Sequence, residues 1–385
     1  MKIPILLSFK EMWRNRGRFL LFSLIIALIT LLVLFIAALA DGLGNGNREY
    51  LQKLNGDLIV YKANVDLSIG ASQLNRAKLG EVKRVPGVMD AGQVNFSSVV
   101  LVFGDAKKLN VAMIGVELGK PGEPPVMQGN QLQSKGNREV ILDRNVALRT
   151  NYRIGDEITV KTIQDTKEQL YKLTVVGISD GRQYSIQPSI IVSQDTFNQI
   201  KPGALPNPNQ VDLISNIIVV QLNEPTQWKE MASTLEREVA DIKAVDKVTA
   251  YENTPGYSAQ QSTLSTQNFF SLLIGLLVIG GFFQIQTLQK VPQIGMLKAI
   301  GAPNATIALA ALTQIVMVTI LGVAIGTGFT LLLSLSFPPT IPIIFSPAAV
   351  AVSVVLLLLI GPVGGLVSIR YALRVEPLTA LGLSS

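Results

Sequence analysis

From position 299 to position 369 the chain has 71 consecutive residues without a charge. About 20 apolar residues carry a helix across hydrocarbon, so this stretch is too long for one span and fits two. Pro338, Pro339 and Pro342 cannot sit inside one continuing helix, and they place the break. A further 22 residues without charge cover 19–40. Another apolar segment starts near 267 and continues through Gln284 and Gln286 to Lys290. Basic residues before 19 and the Ala38-Leu39-Ala40 triplet also have the look of a cleaved signal. A signal's apolar region is about 7–15 residues, so length favours a retained helix. Four spans result, at 19–40, 267–290, 306–336 and 347–369.

Charge sets their orientation. The chain carries 33 Lys+Arg against 27 Asp+Glu, a formal charge of +6. Residues 1–18, 284–304 and 370–385 together hold a net +7, and residues 41–266 a net −1. The positive-inside rule then puts both termini and the loop at 291–305 in the cytoplasm of a bacterial multi-pass membrane protein. The 41–266 segment and the 337–346 loop lie outside. The basic excess is thus a topology signal and contact with anionic lipid, not a nucleic-acid footprint.

Residues 41–266 read as an extracytoplasmic α/β domain. Strands are expected at 57–61, 94–103, 216–222 and 247–251, and helices at 72–83 and 226–242. Two β-α-β halves, about 41–103 and 215–266, share the pattern [DE]-[VI]-K-x-V-x-x-V at Glu81–Val88 and Asp241–Val248. They enclose an insert at 104–214 that reads as mostly β, with strands at 139–142, 157–162 and 173–177 and a short helix at 146–148.

Chemistry is constrained by what is missing. The sequence has no Cys and no His, which excludes disulfides, thiolate metal sites, imidazole ligands and Ser-His-Asp catalysis. No metal centre and no catalytic set are expected. The nearest approach to a phosphate-binding loop, Gly115 to Gly119-Lys120-Pro121, is one residue short and has Pro where a Mg-binding hydroxyl is needed. Within 19–40 and 299–369 there is no ionisable relay of the kind ion-coupled transporters use. Gly322 with Gly326, and Gly361 with Gly365, are spaced for close helix approach, either inside the bundle or across a dimer. Residues 3–18 read as an amphipathic interfacial helix, with Trp13 on its apolar side and Arg14 and Arg18 on the basic one. Ile294, Leu297 and Ile300 recur at helical spacing between the second and third spans. Gly301 and Pro303 end that helix and open the next.

The segment Ile294-Gly295-Met296-Leu297-Lys298-Ala299-Ile300-Gly301-Ala302 resembles the signature of FtsX-like (MacB-type) ABC transporter permeases. The run 370–381 is similar to the closing pattern of that family, and 10–19 to its opening. One span, a large external domain and three more spans is also the family layout. The resemblance implies a homodimeric permease without catalysis of its own, working with two copies of a separate ATPase that binds ATP and Mg. It implies that 294–302 couples to that ATPase, with the N-terminal helix as a second contact. ATP-driven movement would reach the external domains by mechanotransmission, and a periplasmic adaptor is a further partner some relatives use.

Within the family, Ala38–Gly44 and Leu288–Gly295 look most like the small haem-exporter (HrtB-type) permeases. Haem then leads as substrate, among hydrophobic or amphiphilic compounds, with no cofactor bound by the chain itself. Tyr and Met are the axial ligands left to it. Glu49 and Tyr50 stand just outside the first span, either at a lateral substrate entrance or at a plain solvated juncture. The alternative functions are a non-transporting transmitter that activates a cell-wall hydrolase outside, and export of a lipid, lipoprotein or peptide.

Overall fold

The structure is a computed structural model, and it describes residues 10, 13–104, 107–133, 138–164, 167–202, 214–337 and 343–374. The expected amphipathic helix before 10, the proline break at 338–342 and the tail beyond 374 lie outside these residues. The chain divides into two units, Met1–Gly42 with Gln261–Ser385, and Leu43–Gln260.

The first unit is built from four helices long and apolar enough to cross a membrane. They are α1 (Arg16–Gln52, whose last ten residues belong to the second unit), α7 (Tyr257–Gln289), α9 (Asn304–Ser334) and α10 (Pro347–Arg374). Three outrun their expected limits, to Gln52 rather than 40, from Tyr257 rather than 267, and to Arg374 rather than 369. Loss of hydropathy ends a span, but the hydrogen-bond ladder of a helix continues into water until something breaks it.

Missing side chains fix the neighbours. A Cβ on Gly322 would lie 2.5 Å from Ile26 Cβ, and one on Gly326 would lie 2.6 Å from the Ala27 carbonyl oxygen, so α9 presses on α1. A Cβ on Gly361 would meet Thr319 Oγ1 at 2.1 Å, and one on Gly365 would meet Ile315 Cδ1 at 2.3 Å, so α10 presses on α9. Gly280 backs onto Gly364, and Gly275 onto Ile29. The helices therefore form a ring in the order α1, α9, α10, α7. All four expected packing glycines are used inside this ring. Hydroxyls among the helices are satisfied locally: Thr30, Thr319 and Thr330 donate to the carbonyl four residues back at 2.7–2.8 Å. Large apolar side chains such as Leu20, Leu28, Leu277 and Leu332 point outward, as a lipid solvent requires.

The second unit is α/β. Its elements are β1 (Leu58–Lys62), β2 (Leu74–Asn75), α2 (Arg76–Lys83), β3 (Val88–Phe103), β4 (Lys107–Val116), β5 (Val126–Gly129), β6 (Glu139–Asp143), α3 (Arg144–Thr150) and β7 (Glu157–Gln164). They continue with β8 (Lys167–Ser179), β9 (Ser189–Ser193), α4 (Gln194–Ile200), β10 (Ile214–Ser215), β11 (Ile217–Leu222), α5 (Trp228–Glu238), β12 (Ile242–Asp246) and α6 (Lys247–Glu252). Strands pair in the order β12-β1-β11-β3, each antiparallel to its neighbour. The two β-α-β halves thus interleave, each holding a strand of the other between its own. Alternation does the sorting. Leu58, Val60, Ile218 and Val220 face Val82 of α2 and Leu235 of α5, and Ile59, Tyr61, Ile217 and Val219 face the opposite core.

The insert is more than β-rich. Strands β3, β4, β9, β6, β8 and β7 pair in sequence, and β7 pairs back onto β3. That closes a six-stranded ring around Val99, Met113, Leu142, Val160, Val175 and Ile190. Closure removes the exposed edges that an open sheet would present. β3 serves both parts, its first half in the open sheet and its second in the ring.

Four expectations fail here. Residues 247–251 form the helix α6, because the Asp246 carboxylate accepts the Val248 and Thr249 N–H groups and caps it. The helix expected to reach 242 ends at Glu238, and Ile242 opens a strand. Consequently the shared eight-residue pattern falls on a helix end at Glu81–Lys83 and on a strand after Asp241, so it is no repeat. The helix expected from 72 starts at Arg76, capped by Asn75. Gly115 of the near-miss phosphate loop lies in β4, where a Cβ would be 2.6 Å from Phe197.

Candidate functional site

The loop between α7 and α9 is a short helix, α8 (Val291–Ala299), with Pro292 in its first turn. It stops by a left-handed glycine. Gly301 has φ +89°, its N–H reaches the Lys298 carbonyl at 2.9 Å, and the Ala302 N–H reaches that of Leu297 at 3.0 Å. Pro303 then opens α9. Ile294 and Gly295 are buried, Ile294 in a small cluster with Ile307 and Ala372. Met296, Leu297 and Ile300 face outward, Ile300 with 78% of its surface exposed. Lys298 donates to the Leu373 carbonyl at 2.7 Å, placing a cation at the C-terminal end of α10. Sequence spacing grouped Ile294, Leu297 and Ile300 on one face, whereas the structure buries Ile294 and exposes Ile300. The spacing gave no sign that Lys298 ties the hairpin to α10, 75 residues away.

Behind α8 lies a cavity of about 140 Å³. Ile294, Leu297 and Ala302 form part of its wall, together with Lys290, Gln286 and Gln314. Lys290 Nζ donates to Gln314 Oε1 at 2.7 Å and lies 6.0 Å from the Phe19 ring. Of the expected anchor, Trp13 and Arg14 are exposed, and the Arg18 guanidinium stands 5.8 Å from the Phe22 ring.

Glu49 and Tyr50 lie in the second unit, and neither of the roles expected for them fits. Tyr50 is fully buried with Leu51, Leu54, Ile59 and Tyr61, its ring 5.1 Å from Phe96 and 6.3 Å from Tyr184. Burial pushes its phenol, and that of Tyr61, well above the usual range, and that of Tyr184 up to about 12. Glu49 accepts from Lys53 Nζ at 2.9 Å and from the Gln183 N–H at 3.1 Å. Arg182, almost fully buried, donates to the Lys53 carbonyl at 2.6 Å and to Asp180 at 2.6 Å. The 180–187 segment thus clamps the end of α1. Ser185 and Ile186 hold left-handed backbone there, and the Ile186 N–H reaches the Gly46 carbonyl at 3.1 Å. In the sequence Glu49 is marked only by its place just beyond the first uncharged run. Its pairing with Lys53 is local, but its contact with Gln183, 134 residues on, leaves no local trace.

Asp143, which caps α3, is fully buried next to the clamp and accepts from the Ser189 and Asn145 N–H groups. Burial raises its carboxyl from 3.8 to about 6, against those two hydrogen bonds. A carboxyl whose folded pKa exceeds its unfolded one opposes folding while ionised. That penalty is full at neutral pH, fades as pH falls through about 6 and is gone below about 3.8. The stability of wild type relative to Asp143→Asn should therefore rise between pH 7.5 and pH 5. Unfolding midpoints of both proteins across that range measure it, and parallel curves would contradict it. Among the described residues, no cluster of three or more acids that could hold a metal ion is present.

Comparison with known proteins agrees with this layout. The MacB-like periplasmic core domain family matches residues 19–238, and the FtsX-like permease C-terminal family matches residues 267–377. A Staphylococcus haemolyticus protein named for a hemin transport system permease, HrtB, is 27% identical over 98% of this chain and 99% of its own length. An uncharacterized ABC transporter permease of Mycobacterium tuberculosis is 23% identical over 96% of this chain and 97% of its own. Among solved structures, the periplasmic region of MacB from Actinobacillus actinomycetemcomitans matches 52% of this chain and 94% of that chain, at 14% identity and a TM-score of 0.36. The chain belongs to the FtsX-like, MacB-type ABC transporter permeases.

Proposed function

We propose that this permease works as a homodimer with a separate ATPase docked on α8, and that it moves a hydrophobic or amphiphilic compound, haem first, outward from the membrane. The carrying observation is α8 itself. It is a capped helix that shows Met296, Leu297 and Ile300 to the outside while Lys298 fixes it to the end of α10. An exposed apolar patch on a rigid support is what a partner protein docks on. The charge distribution supports a cytoplasmic location for that end and for both termini. The long α1 helix and its clamp support force transmission as the mode of action. The hemin transporters among the relatives support the substrate class.

Tyr50, Tyr61 and Tyr184 are not haem ligands in this reading. A phenolate ligand needs a lowered pKa, and burial raises all three.

The test is ATP hydrolysis by an ABC ATPase that copurifies with this permease, measured with the permease in nanodiscs. Hemin is expected to raise turnover severalfold in a permease-dependent way. Turnover unchanged by hemin overturns the substrate, and turnover unchanged by the permease overturns the coupling.

A further inference from the structure

The cavity behind α8 carries chemistry that coupling alone does not use. An ammonium group only donates, so the short contact from Lys290 fixes the Gln314 amide with its oxygen toward the lysine. The amide Nε2 is then turned away, and it finds no acceptor among the described residues. Gln314 is 94% buried, its relative exposure being 6%. A buried donor without a partner is costly and calls for an occupant that accepts. The volume is about 140 Å³, where about 10–15 Å³ admits one water. Gln286 adds a second buried amide; Phe283, Ile307 and Ile315 make much of the remaining wall apolar, with Thr287, Gln293, Thr306 and Ser368 also lining it.

A cation and a spare donor at one place, with apolar walls around them, match an anionic oxygen group attached to a hydrocarbon. We infer that the cavity binds the phosphate of an anionic membrane phospholipid, held by Lys290 and Gln314. Inorganic phosphate offers the same oxygens but nothing to cover the apolar wall. Because Ile294 and Leu297 of α8 share this wall, the lipid braces the docking helix from behind. The inference rests on the proposed function only for that last consequence and for the leaflet involved.

The test uses the full chain and no ATPase, so its failure is separate from failure of the coupling reading. The protein is loaded with equal amounts of phosphatidylglycerol and phosphatidylcholine, and retained lipid is counted by native mass spectrometry. Wild type should keep phosphatidylglycerol preferentially, at one per chain. Gln314→Leu and Gln314→Glu should each lower that retention at least tenfold, the second by setting a carboxylate against the phosphate. Equal retention of both lipids by wild type overturns the inference, whether or not the variants fold. So does unchanged retention in folded Gln314→Leu. Displacement by 10 mM inorganic phosphate would assign the site to a soluble anion, and displacement by hemin to the cargo. Either result overturns the lipid assignment.

Discussion

Gly361→Ala is expected to destabilise the membrane unit by about 1–3 kcal/mol, the cost of forcing an extra carbon into a filled interior. The added methyl would sit 2.1 Å from Thr319 Oγ1 and 2.9 Å from Thr319 Cβ, distances that no rotamer change removes entirely. Either α10 moves off α9 or Thr319 leaves the rotamer in which it donates to the Ile315 carbonyl at 2.8 Å. Both outcomes expose polar backbone or hydroxyl groups where no water replaces the lost bond. Thr319→Ala removes the worst contact, so the double variant should recover part of the loss. Unfolding midpoints in detergent for the two single variants and the pair decide this. Additive losses would show that the two residues do not meet.

Ile300→Asp should remove ATPase binding while leaving the permease folded. Ile300 is 78% exposed, so the change disturbs little of the permease itself. In a docked complex the same side chain would be covered, and burying an unpaired carboxylate is prohibitive. Loss of a hot-spot anchor in the packed centre of an interface costs about 2 kcal/mol or more. Binding to the ATPase should therefore weaken at least tenfold, with the unfolding midpoint unchanged. Lys298→Met is the companion change. It keeps the apolar surface but frees α8 from the Leu373 carbonyl, so the partner should still bind while hydrolysis loses its dependence on cargo. Normal assembly of Ile300→Asp with the ATPase would remove α8 from the interface.

Some of this was written locally in the sequence, and some was not. Uncharged runs mark the spans because hydrocarbon tolerates nothing else. Leu58 to Tyr61 and Ile217 to Leu222 mark strands, since both faces of the sheet they form are covered. Gly301 and Pro303 mark the hairpin because each imposes its own backbone angle. The helix at 247–252 was also marked, by the capping Asp246, but its β-branched Val248 and Thr249 read as strand. Pairing of β7 with β3 leaves no such mark, as it joins residues about 60 apart. The clamp on α1 depends on contacts spanning 128 to 140 residues. Gln314 is one polar residue in a long apolar run. Only its place beside Lys290 shows what it does.

The interleaving of the two halves sets a timetable for the chain's own synthesis. β1 is among the first strands made, yet its neighbours are β11 and β12, the last two, with Val60 opposite Ala244. At roughly 5–20 residues per second, the 184 residues between them take about 10–40 s to appear. Until β11 emerges the segment Leu58-Ile59-Val60-Tyr61 is an unpaired apolar strand beside the end of α1, and until β12 emerges it is paired on one side only. The closed ring, by contrast, has all its strands by Ser193 and can settle while the wait continues. A chaperone with affinity for extended apolar chain would find its substrate in that window, and truncation anywhere before β12 should leave β1 without one of its two neighbours.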